Sequence, residues 1–337
     1  YLFNLYSYYI LMDFSIEQFY YKNISNNTDI LNKYTAINIL VSLDKYHVFY
    51  ELGMMLSKTL TKMGYTNSVL VEKSNEYVYE TDALYIIYGA DNFILLPNNF
   101  IIYHFEQLWR IVNYCTPELI EAMFTQFNKA ICIWEYSLSN INLYNQLNKI
   151  TVPVYYVPLG YDSYINYQNT YDYLNKDKNI NLSFVGNCCR RRTAIVDTIN
   201  KRVPVSVFSN NVWNYNDRRL SESNPIVDTK AQVFLRTKIL INIHMFEPIY
   251  ASFDLYRTIT AIANKCLVIS EYSRDITMNK IFDPYIILCN KDDMPNKIAY
   301  YSHHENERLN KVNAAYNWLK TKFIYAKFIP TECFNIK

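Results

Sequence analysis

The stretch that most constrains the fold of this chain is residues 238–271, KILINIHMFEPIYASFDLYRTITAIANKCLVISE. It begins with a short apolar run rich in β-branched residues, which predicts a strand. After a loop that contains Pro248, apolar residues recur at helical spacing over 254–264, and Asp254 is a suitable N-cap. Residues 266–270 form a second apolar run of strand length. Together these segments predict a βαβ unit.

This βαβ unit also predicts where a ligand binds. In open α/β sheets, ligands lie where loops leave the carboxyl ends of the strands, which places Glu247, Asp254 and Arg257 at one edge. An arginine on the first turn of a helix, beside backbone N–H groups, suits a diphosphate. The alternative is an arginine that simply faces solvent.

Length and composition indicate a globular protein with room for two domains. The 337 residues are 50% hydrophobic and 19% charged, which excludes a disordered chain. The net charge of +2 argues against a dedicated nucleic-acid binder and leaves open a local basic patch. The 34 tyrosines and only 5 glycines, with many Asn, Ile and Lys residues, indicate an AT-rich genome rather than a binding surface.

The cysteines and the N-terminal segment bear on metal sites and on the compartment. The seven cysteines are scattered without a CxxC pair, which predicts reduced thiols and no zinc site. The apolar segment 1–12 is short and has neither a basic n-region nor a clear cleavage site, so we predict neither a signal peptide nor a membrane span. We therefore expect a cytoplasmic protein.

Strands and helices alternate through both halves of the chain, which predicts two α/β units with largely parallel sheets. The first half has strand patterns at 35–43, 68–71, 83–88, 100–103, 130–134 and 154–157, and helix patterns at 50–64 and 117–127. The second half has strand patterns at 181–185, 204–208, 239–243, 266–270 and 285–289, and helix patterns at 193–200, 254–264 and 292–327. The Pro- and Gly-containing segment 152–162 would end the first unit.

Polar residues follow several strands of the first half and would share one edge of a parallel sheet. They are Asp44 and His47, His104 and Glu106, and Glu135 with Ser137. A carboxylate or an imidazole at this edge could act as a general base for an acceptor hydroxyl. The alternative for each is a structural residue at a strand end.

In the second half, a strand is followed at once by Gly186 and by Arg190, Arg191 and Arg192 at the start of a helix. This order favours anion binding, and the alternative is a solvated basic surface. The segment is neither a GxGxxG motif nor a Walker A motif. Trp213, in the predicted loop after 204–208, is a candidate lid or stacking residue.

Several segments resemble one known family. Residues 103–109 (YHFEQLW), 133–144 (IWEYSLSNINLY) and 155–164 (YYVPLGYDSY) look like the acceptor side of bacterial and viral group-1-type glycosyltransferases related to the CgeB family. Residues 182–192 (LSFVGNCCRRR) and 257–271 (RTITAIANKCLVISE) resemble the glycine loop and the closing segment of their donor domain. The resemblance covers about residues 35–320, and a viral source would fit it.

The resemblance implies the GT-B fold, an α/β architecture in which two Rossmann-like domains face a cleft and a helical tail follows. The domains would be an N-terminal extension (1–34), an acceptor-side domain (35–160), a donor domain (161–304) and a C-terminal helix or tail that packs back on the first domain (305–337).

The resemblance also implies a nucleotide-diphosphate sugar in the cleft, most readily a UDP- or GDP-sugar. Gly186, Arg191 and Arg257 would face the diphosphate, Glu247 would lie near the sugar, and Glu271 near the nucleotide or the cleft edge. The other donor-side candidates are Arg190, Trp213, Asp254 and Thr260. Thr260 stands where many relatives carry a ribose-binding glutamate, and Asn264-Lys265 where they have a small glycine turn, so Asp254 could replace the missing carboxylate.

The predicted function is therefore a metal-independent, hexosyltransferase-like enzyme with His104, Glu106 and Glu247 as catalytic candidates. No cofactor is expected besides the nucleotide sugar, and the acceptor would be a glycan, a protein or a small molecule. The alternatives are an inactive relative that acts in binding or assembly, a glycosyltransferase that modifies DNA, and a nucleotide-sugar epimerase.

Overall fold

The computed structural model describes residues 34–42, 46–72, 78–90, 95–171, 174, 176–209, 212–213 and 227–334. The predicted extension at 1–34 lies almost wholly outside this range, and so does the candidate Asp44. His47 lies in the first helix, but its side chain is outside the described part.

The first unit is built on a parallel sheet with helices on both faces. Its elements in chain order are β1 (Ala36–Ser42), α1 (Tyr46–Lys62), β2 (Asn67–Glu72), β3 (Ala83–Tyr88), β4 (Phe100–His104), α2 (Leu108–Tyr114), α3 (Pro117–Phe127), β5 (Cys132–Glu135), α4 (Leu138–Leu147) and β6 (Val154–Tyr156). The strand order is β2-β1-β3-β4-β5-β6. All six residues of β3 are buried, because a central parallel strand is covered on both faces.

Local sequence explains two helices of this unit. Helix α3 has the predicted bounds: Thr116 caps it by accepting from the N–H of Leu119, and Pro117 fills the first turn, where its missing N–H costs nothing. Helix α1 lies close to the sheet at Gly53, where an added Cβ would stand 3.1 Å from Val41. Helix α1 begins at Tyr46, four residues before the predicted start.

The second unit repeats the layout. Its elements are α5 (Tyr167–Thr170), β7 (Ile180–Val185), α6 (Arg190–Asn200), β8 (Ser206–Ser209), β9 (Val212–Trp213), α7 (Val227–Arg236), β10 (Thr237–Asn242), α8 (Leu255–Ala263), β11 (Leu267–Glu271), α9 (Ile276–Phe282), β12 (Ile287–Cys289), α10 (Met294–His303) and α11 (Glu305–Thr321). The order is β12-β11-β10-β7-β8-β9, and among the strand pairs that the structure describes here, only β8–β9 is antiparallel.

The prediction of two α/β units with parallel sheets and a helical C-terminal region is confirmed. The expected position of Trp213 is wrong. Trp213 lies in β9, paired antiparallel with Phe208, rather than in a loop. The two-residue strand is too short to show periodicity. The side chain of Trp213 is outside the described part.

The end of the chain returns to the first unit. Tyr161 forms a parallel bridge with Ile324, and the hydroxyl of Tyr325 lies 3.1 Å from that of Tyr103. Gly160 permits this crossing, since a Cβ there would stand 2.6 Å from the backbone nitrogen of Tyr325. Among the described residues, no helix is both long and apolar enough to cross a membrane.

A buried polar cluster also joins the two units. Glu51 of α1 accepts hydrogen bonds from Lys230 of α7 at 2.6 Å and from the hydroxyl of Tyr256 of α8 at 2.5 Å. The hydroxyl of Tyr167 donates to its other oxygen. Burial acts to raise the pKa of Glu51, but the Lys230 charge and these hydrogen bonds outweigh it and the pKa is lowered. The cluster therefore holds α1 against α7 and α8 with a charged carboxylate.

Candidate active site

The loop after β7 brings a glycine against an arginine of α8. Gly186 has a φ of +149°, which L side chains rarely adopt. A Cβ at this position would stand 2.8 Å from Nη2 of Arg257. Asp254 caps α8, as predicted, by accepting from the N–H of Arg257 at 3.3 Å. Gly186 and Arg257, two of the predicted diphosphate contacts, are thus neighbours at the carboxyl end of the second sheet.

The guanidinium of Arg257 is held in a defined position. Its Nη1 donates to Oδ1 of Asn242 at 2.6 Å and lies 3.0 Å from Oδ2 of Asp254. Its Cζ lies 5.9 Å from the centroid of the Phe184 ring, within the range of a cation–π contact. Burial acts to raise the pKa of Asp254, but the charges of Arg257, Arg192 and His244 and the hydrogen bond from the Arg257 N–H lower it below its usual value. Asp254 is therefore charged and orients Arg257.

A second arginine, Arg192, also lies against Phe184, with its Cζ 5.6 Å from the ring centroid. The sequence indicated the run of three arginines without choosing this one. It is buried, and its Nε and Nη1 donate to the carbonyls of Ile243 and Asn187 at 2.9 Å each. Burial, together with the charge of Arg257, lowers its pKa to about 10. Around Phe184 there are thus two arginines and one carboxylate, Asp254, which leaves a local excess of one positive charge.

Helical periodicity could have identified Arg192. It lies three, four and seven residues before Ile195, Val196 and Ile199, the buried side chains of α6. Consecutive helical residues point about 100° apart, so the three arginines must face different ways. Arg190 is exposed at the first position of α6.

Arg191 departs from its expected role. Its guanidinium pairs with Glu271, at 2.5 and 2.8 Å, and with Glu247, at 3.0 and 3.3 Å, instead of turning to the Gly186 loop. The reason is that Glu271 is only 1% exposed and needs a counter-charge. The hydrogen bond from Arg191 lowers the pKa of Glu247, which is half exposed at the site edge.

Two donor-side candidates are buried and hydrogen-bonded within the protein. Glu271 accepts from Arg191 and from the N–H of His244 at 2.9 Å, so it anchors the loop after β10. Thr260 has no exposed surface, and its hydroxyl donates to the carbonyl of Tyr256 at 2.8 Å. Helix and strand geometry turns both side chains inward, and the binding roles expected of them stay predictions.

The Asn264-Lys265 turn also has a structural role. The buried Asn264 accepts from the N–H of Tyr167 at 2.9 Å and donates to the carbonyls of Ile165 and Thr260 at 2.8 Å each. Lys265 adopts a φ of +56°, as a glycine would. The asparagine therefore ties the segment between the units to the end of α8.

The edge of the first sheet carries a buried imidazole–carboxylate pair. Nδ1 of His104 lies 2.8 Å from Oε2 of Glu135 and 2.9 Å from the hydroxyl of Tyr144. The other oxygen of Glu135 accepts from the N–H of Ser137 and from Asn140, both at 3.0 Å. Burial raises the pKa of Glu135 although His104 opposes it. The prediction that these strand ends share one edge is confirmed by the β4–β5 register, in which His104 is opposite Glu135.

Glu106 follows this pair at the same edge. Its carboxylate lies 3.6 Å from Arg110, and 39% of its side chain is exposed. Both His104 and Glu106 line a cavity of about 600 Å³ between the first sheet and helices α2 and α3.

The edges of the two sheets are in contact. The hydroxyls of Ser137 and Ser139, after β5, lie 3.2 and 3.0 Å from that of Ser252, just before α8. The rings of Trp109 in α2 and Tyr250 stack at 4.2 Å. These contacts set the His104 edge beside the Arg257 edge. Among the described residues, no group of three or more His, Cys, Asp or Glu side chains could hold a metal ion.

Comparisons with solved structures agree with this architecture. No protein-family model and no curated protein matches the sequence. A sucrose-phosphate synthase from Thermosynechococcus elongatus matches with a TM-score of 0.57 and 10% identity, over 87% of this chain and 96% of that one. HepE of Anabaena, in complex with UDP and glucose, matches with a TM-score of 0.57 and 10% identity, over 88% and 97%.

A DNA-modifying β-glucosyltransferase, whose substrate is uridine diphosphoglucose, matches with a TM-score of 0.55 and 9% identity, over 89% of this chain and all of that one. At these identities the likeness concerns the fold. The narrower resemblance to CgeB-related proteins and a viral source stay predictions. The chain has the GT-B fold, with two Rossmann-like units and a helical C-terminal region, that these glycosyltransferases share.

Proposed function

We propose that the protein is a hexosyltransferase-like glycosyltransferase, which moves a sugar from a UDP- or GDP-sugar to the hydroxyl of a glycan, a protein or a small molecule. The observation that carries the proposal is the contact between two edges. One edge holds Arg257 over Gly186 at the start of α8, and the other holds the His104–Glu135 pair. Two of the structures with the same fold involve UDP and glucose or UDP-glucose, which supports a nucleotide-sugar donor.

The Arg257 edge suits the departing diphosphate. Arg257 and the backbone N–H groups at the start of α8 would donate to its oxygens, and the buried charge of Arg192 would add to the local positive potential. Arginines in fixed positions can stabilise a leaving group without a metal ion, so we propose a metal-independent reaction. Glu247, half exposed beside this site, would accept hydrogen bonds from the sugar hydroxyls.

The His104 edge suits the acceptor. A Glu135 carboxylate that accepts the Nδ1 proton of His104 leaves Nε2 of the neutral ring as a base; this tautomer is assigned from the hydrogen-bond network. The acceptor hydroxyl would give its proton to Nε2 while its oxygen forms the bond to the anomeric carbon. The bond from that carbon to the diphosphate breaks, and the electron pair leaves with the nucleotide.

A thermal-shift titration tests the donor half. We expect UDP or GDP, in the presence of EDTA, to raise the melting temperature, because a ligand that binds only the folded state stabilises it. Arg257→Ala should abolish this rise, whereas Arg202→Ala, at the opposite end of α6, should keep it. If neither nucleotide binds the wild-type protein, the transferase assignment fails and the inactive binding or assembly relative takes its place.

Steady-state kinetics tests the acceptor half. His104→Asn should lower kcat at least about a hundredfold, the usual contribution of a general base, and leave nucleotide binding unchanged. Glu135→Gln should lower kcat and shift the pH dependence of the rate, because Glu135 sets the proton affinity of the imidazole. Full activity of His104→Asn would remove the base assignment.

A further inference from the structure

The cavity beside His104 has mainly apolar walls. It opens at the carboxyl ends of β3 and β4, and its volume of about 600 Å³ is that of a pocket for a small ligand. Most of its lining side chains are apolar; they include Phe49, Ile102, Ile111, Leu119, Met123 and Phe127. Leu119 is 62% exposed, so the apolar wall continues to the protein surface.

The charged residues of the lining are Glu106, which is partly exposed, and Lys129, which is exposed. His104 is buried and held by Glu135, so its ring orientation is fixed. Glu106 lies beside Arg110, which offsets its charge at the rim. The cavity thus combines an imidazole of fixed orientation with an apolar surface that could bind the rest of a ligand.

This combination discriminates among acceptors. A sugar chain carries hydroxyls on all sides, and apolar walls would leave many of them without hydrogen-bond partners. A DNA duplex binds through clusters of cations that neutralise its phosphates, whereas this lining holds one lysine, Lys129, and one carboxylate, Glu106. An aromatic or aliphatic molecule with one hydroxyl fits both the walls and the imidazole.

We propose that this cavity binds the acceptor, and that the acceptor is an apolar small molecule, aromatic or aliphatic, with its hydroxyl at His104. The proposal rests on the transferase function proposed above and names its acceptor class. The apolar body lies along Leu119 and Met123 of α3, and the hydroxyl points to the imidazole.

The test measures binding and transfer separately. Binding is measured by titrating β-naphthol into the protein and following the β-naphthol fluorescence. Transfer is measured as release of UDP or GDP from the donor, with β-naphthol, maltose or a duplex that contains hydroxymethylcytosine as the acceptor. The variants Leu119→Asp and Ala122→Trp alter exposed positions on the cavity wall, so folding is preserved. Leu309→Asp, at an exposed leucine of α11, is the matched control.

We expect the wild-type protein and Leu309→Asp to bind β-naphthol equally, and Leu119→Asp and Ala122→Trp to bind it at least tenfold more weakly. Transfer to β-naphthol should fall in the same two variants through a raised KM, and His104→Asn should keep binding but lose transfer. Equal binding by all variants, or faster transfer to maltose or to the duplex, would overturn the proposal.

The same measurements separate this proposal from the function on which it rests. Nucleotide binding without any transfer to β-naphthol would overturn the acceptor class and leave the donor assignment standing. Binding of β-naphthol that depends on Leu119, in a protein that binds no nucleotide, would overturn the transferase function and the acceptor assignment together.

Discussion

The guanidinium of Arg257 occupies the space that a side chain at Gly186 would fill, since a Cβ on Gly186 would stand 2.8 Å from Nη2. The φ of +149° at Gly186 adds a second reason for glycine at this position. The close contact with Arg257 and the backbone conformation therefore both favour glycine at position 186.

The first prediction follows from this contact. Gly186→Ala should displace Arg257 and weaken UDP or GDP binding about tenfold or more, roughly 1.4 kcal/mol, while backbone strain costs about 1–3 kcal/mol of stability. Gly64→Ala is the matched control. Gly64 also has a positive φ, +92°, but nothing lies within 4 Å of its would-be Cβ, so this variant should lose stability and keep nucleotide affinity. Calorimetric titration of both variants measures the difference, and equal affinities would contradict the role of the contact.

The second prediction separates the two carboxylates that share Arg191. Glu271→Gln should destabilise the protein by about 3 kcal/mol, because it leaves Arg191 and the N–H of His244 with a weaker buried partner. Glu247→Gln removes a half-exposed partner and should cost less than about 1 kcal/mol. Urea unfolding followed by tryptophan fluorescence measures both. A larger loss from Glu247→Gln would show that the pair at the surface, not the buried one, stabilises this edge.

Periodicity alone was enough to predict much of the fold. The bounds of α3 and β3 match the sequence patterns, and the cap of α8 at Asp254 follows from residue type. Short elements were missed because too few residues reveal a period; among them are α2 (seven residues) and α9 (seven residues).

The site was harder to predict because charge partners are distant in sequence. Residue type and strand ends correctly brought out Gly186, Arg257 and His104 as neighbours of the sheet edges. No local pattern shows that Arg191 pairs with Glu271, 80 positions away, or that Glu135 holds His104. Tertiary packing decides which of three consecutive arginines is buried, and only the apolar face of α6 gave a signal for Arg192.

The third prediction concerns the turn after α8. Asn264→Ala removes three hydrogen bonds and leaves buried groups of Tyr167 and Ile165 without a partner, so it should cost about 2–4 kcal/mol of stability. Lys265→Gly should instead raise the free energy of unfolding by about 1 kcal/mol, because glycine adopts the positive φ without strain. Thermal and urea unfolding of both variants measure these effects. A stable Asn264→Ala protein would mean that the segment between the units is held by other contacts.

The last prediction concerns two buried carboxylates, Asp275 and Glu51, whose contributions to stability change with pH in opposite directions. Burial raises the pKa of Asp275, the cap of α9, to about 6, although the N–H groups of Met278, Leu138 and Thr277 oppose it. The stability that Asp275 contributes is therefore complete below its unfolded pKa, about 3.9, and is lost as the pH rises through about 6. Asp275→Asn keeps a capping oxygen without a charge. The free energy of unfolding of Asp275→Asn minus that of the wild type should therefore increase by about 2–3 kcal/mol as the pH rises from 4 to 7.

Glu51 supplies the comparison, because its pKa is lowered by Lys230 despite burial. Its contribution is present above its unfolded pKa, about 4.3, and is lost as the pH falls. Glu51→Gln should therefore be less stable than the wild type at pH 7, and the difference should shrink on acidification. Urea unfolding at several pH values measures both variants. For each variant, the difference in free energy of unfolding from the wild type is plotted against pH. Because a raised pKa of Asp275 and a lowered pKa of Glu51 act in opposite directions, differences that change with pH in the same direction would contradict these assignments.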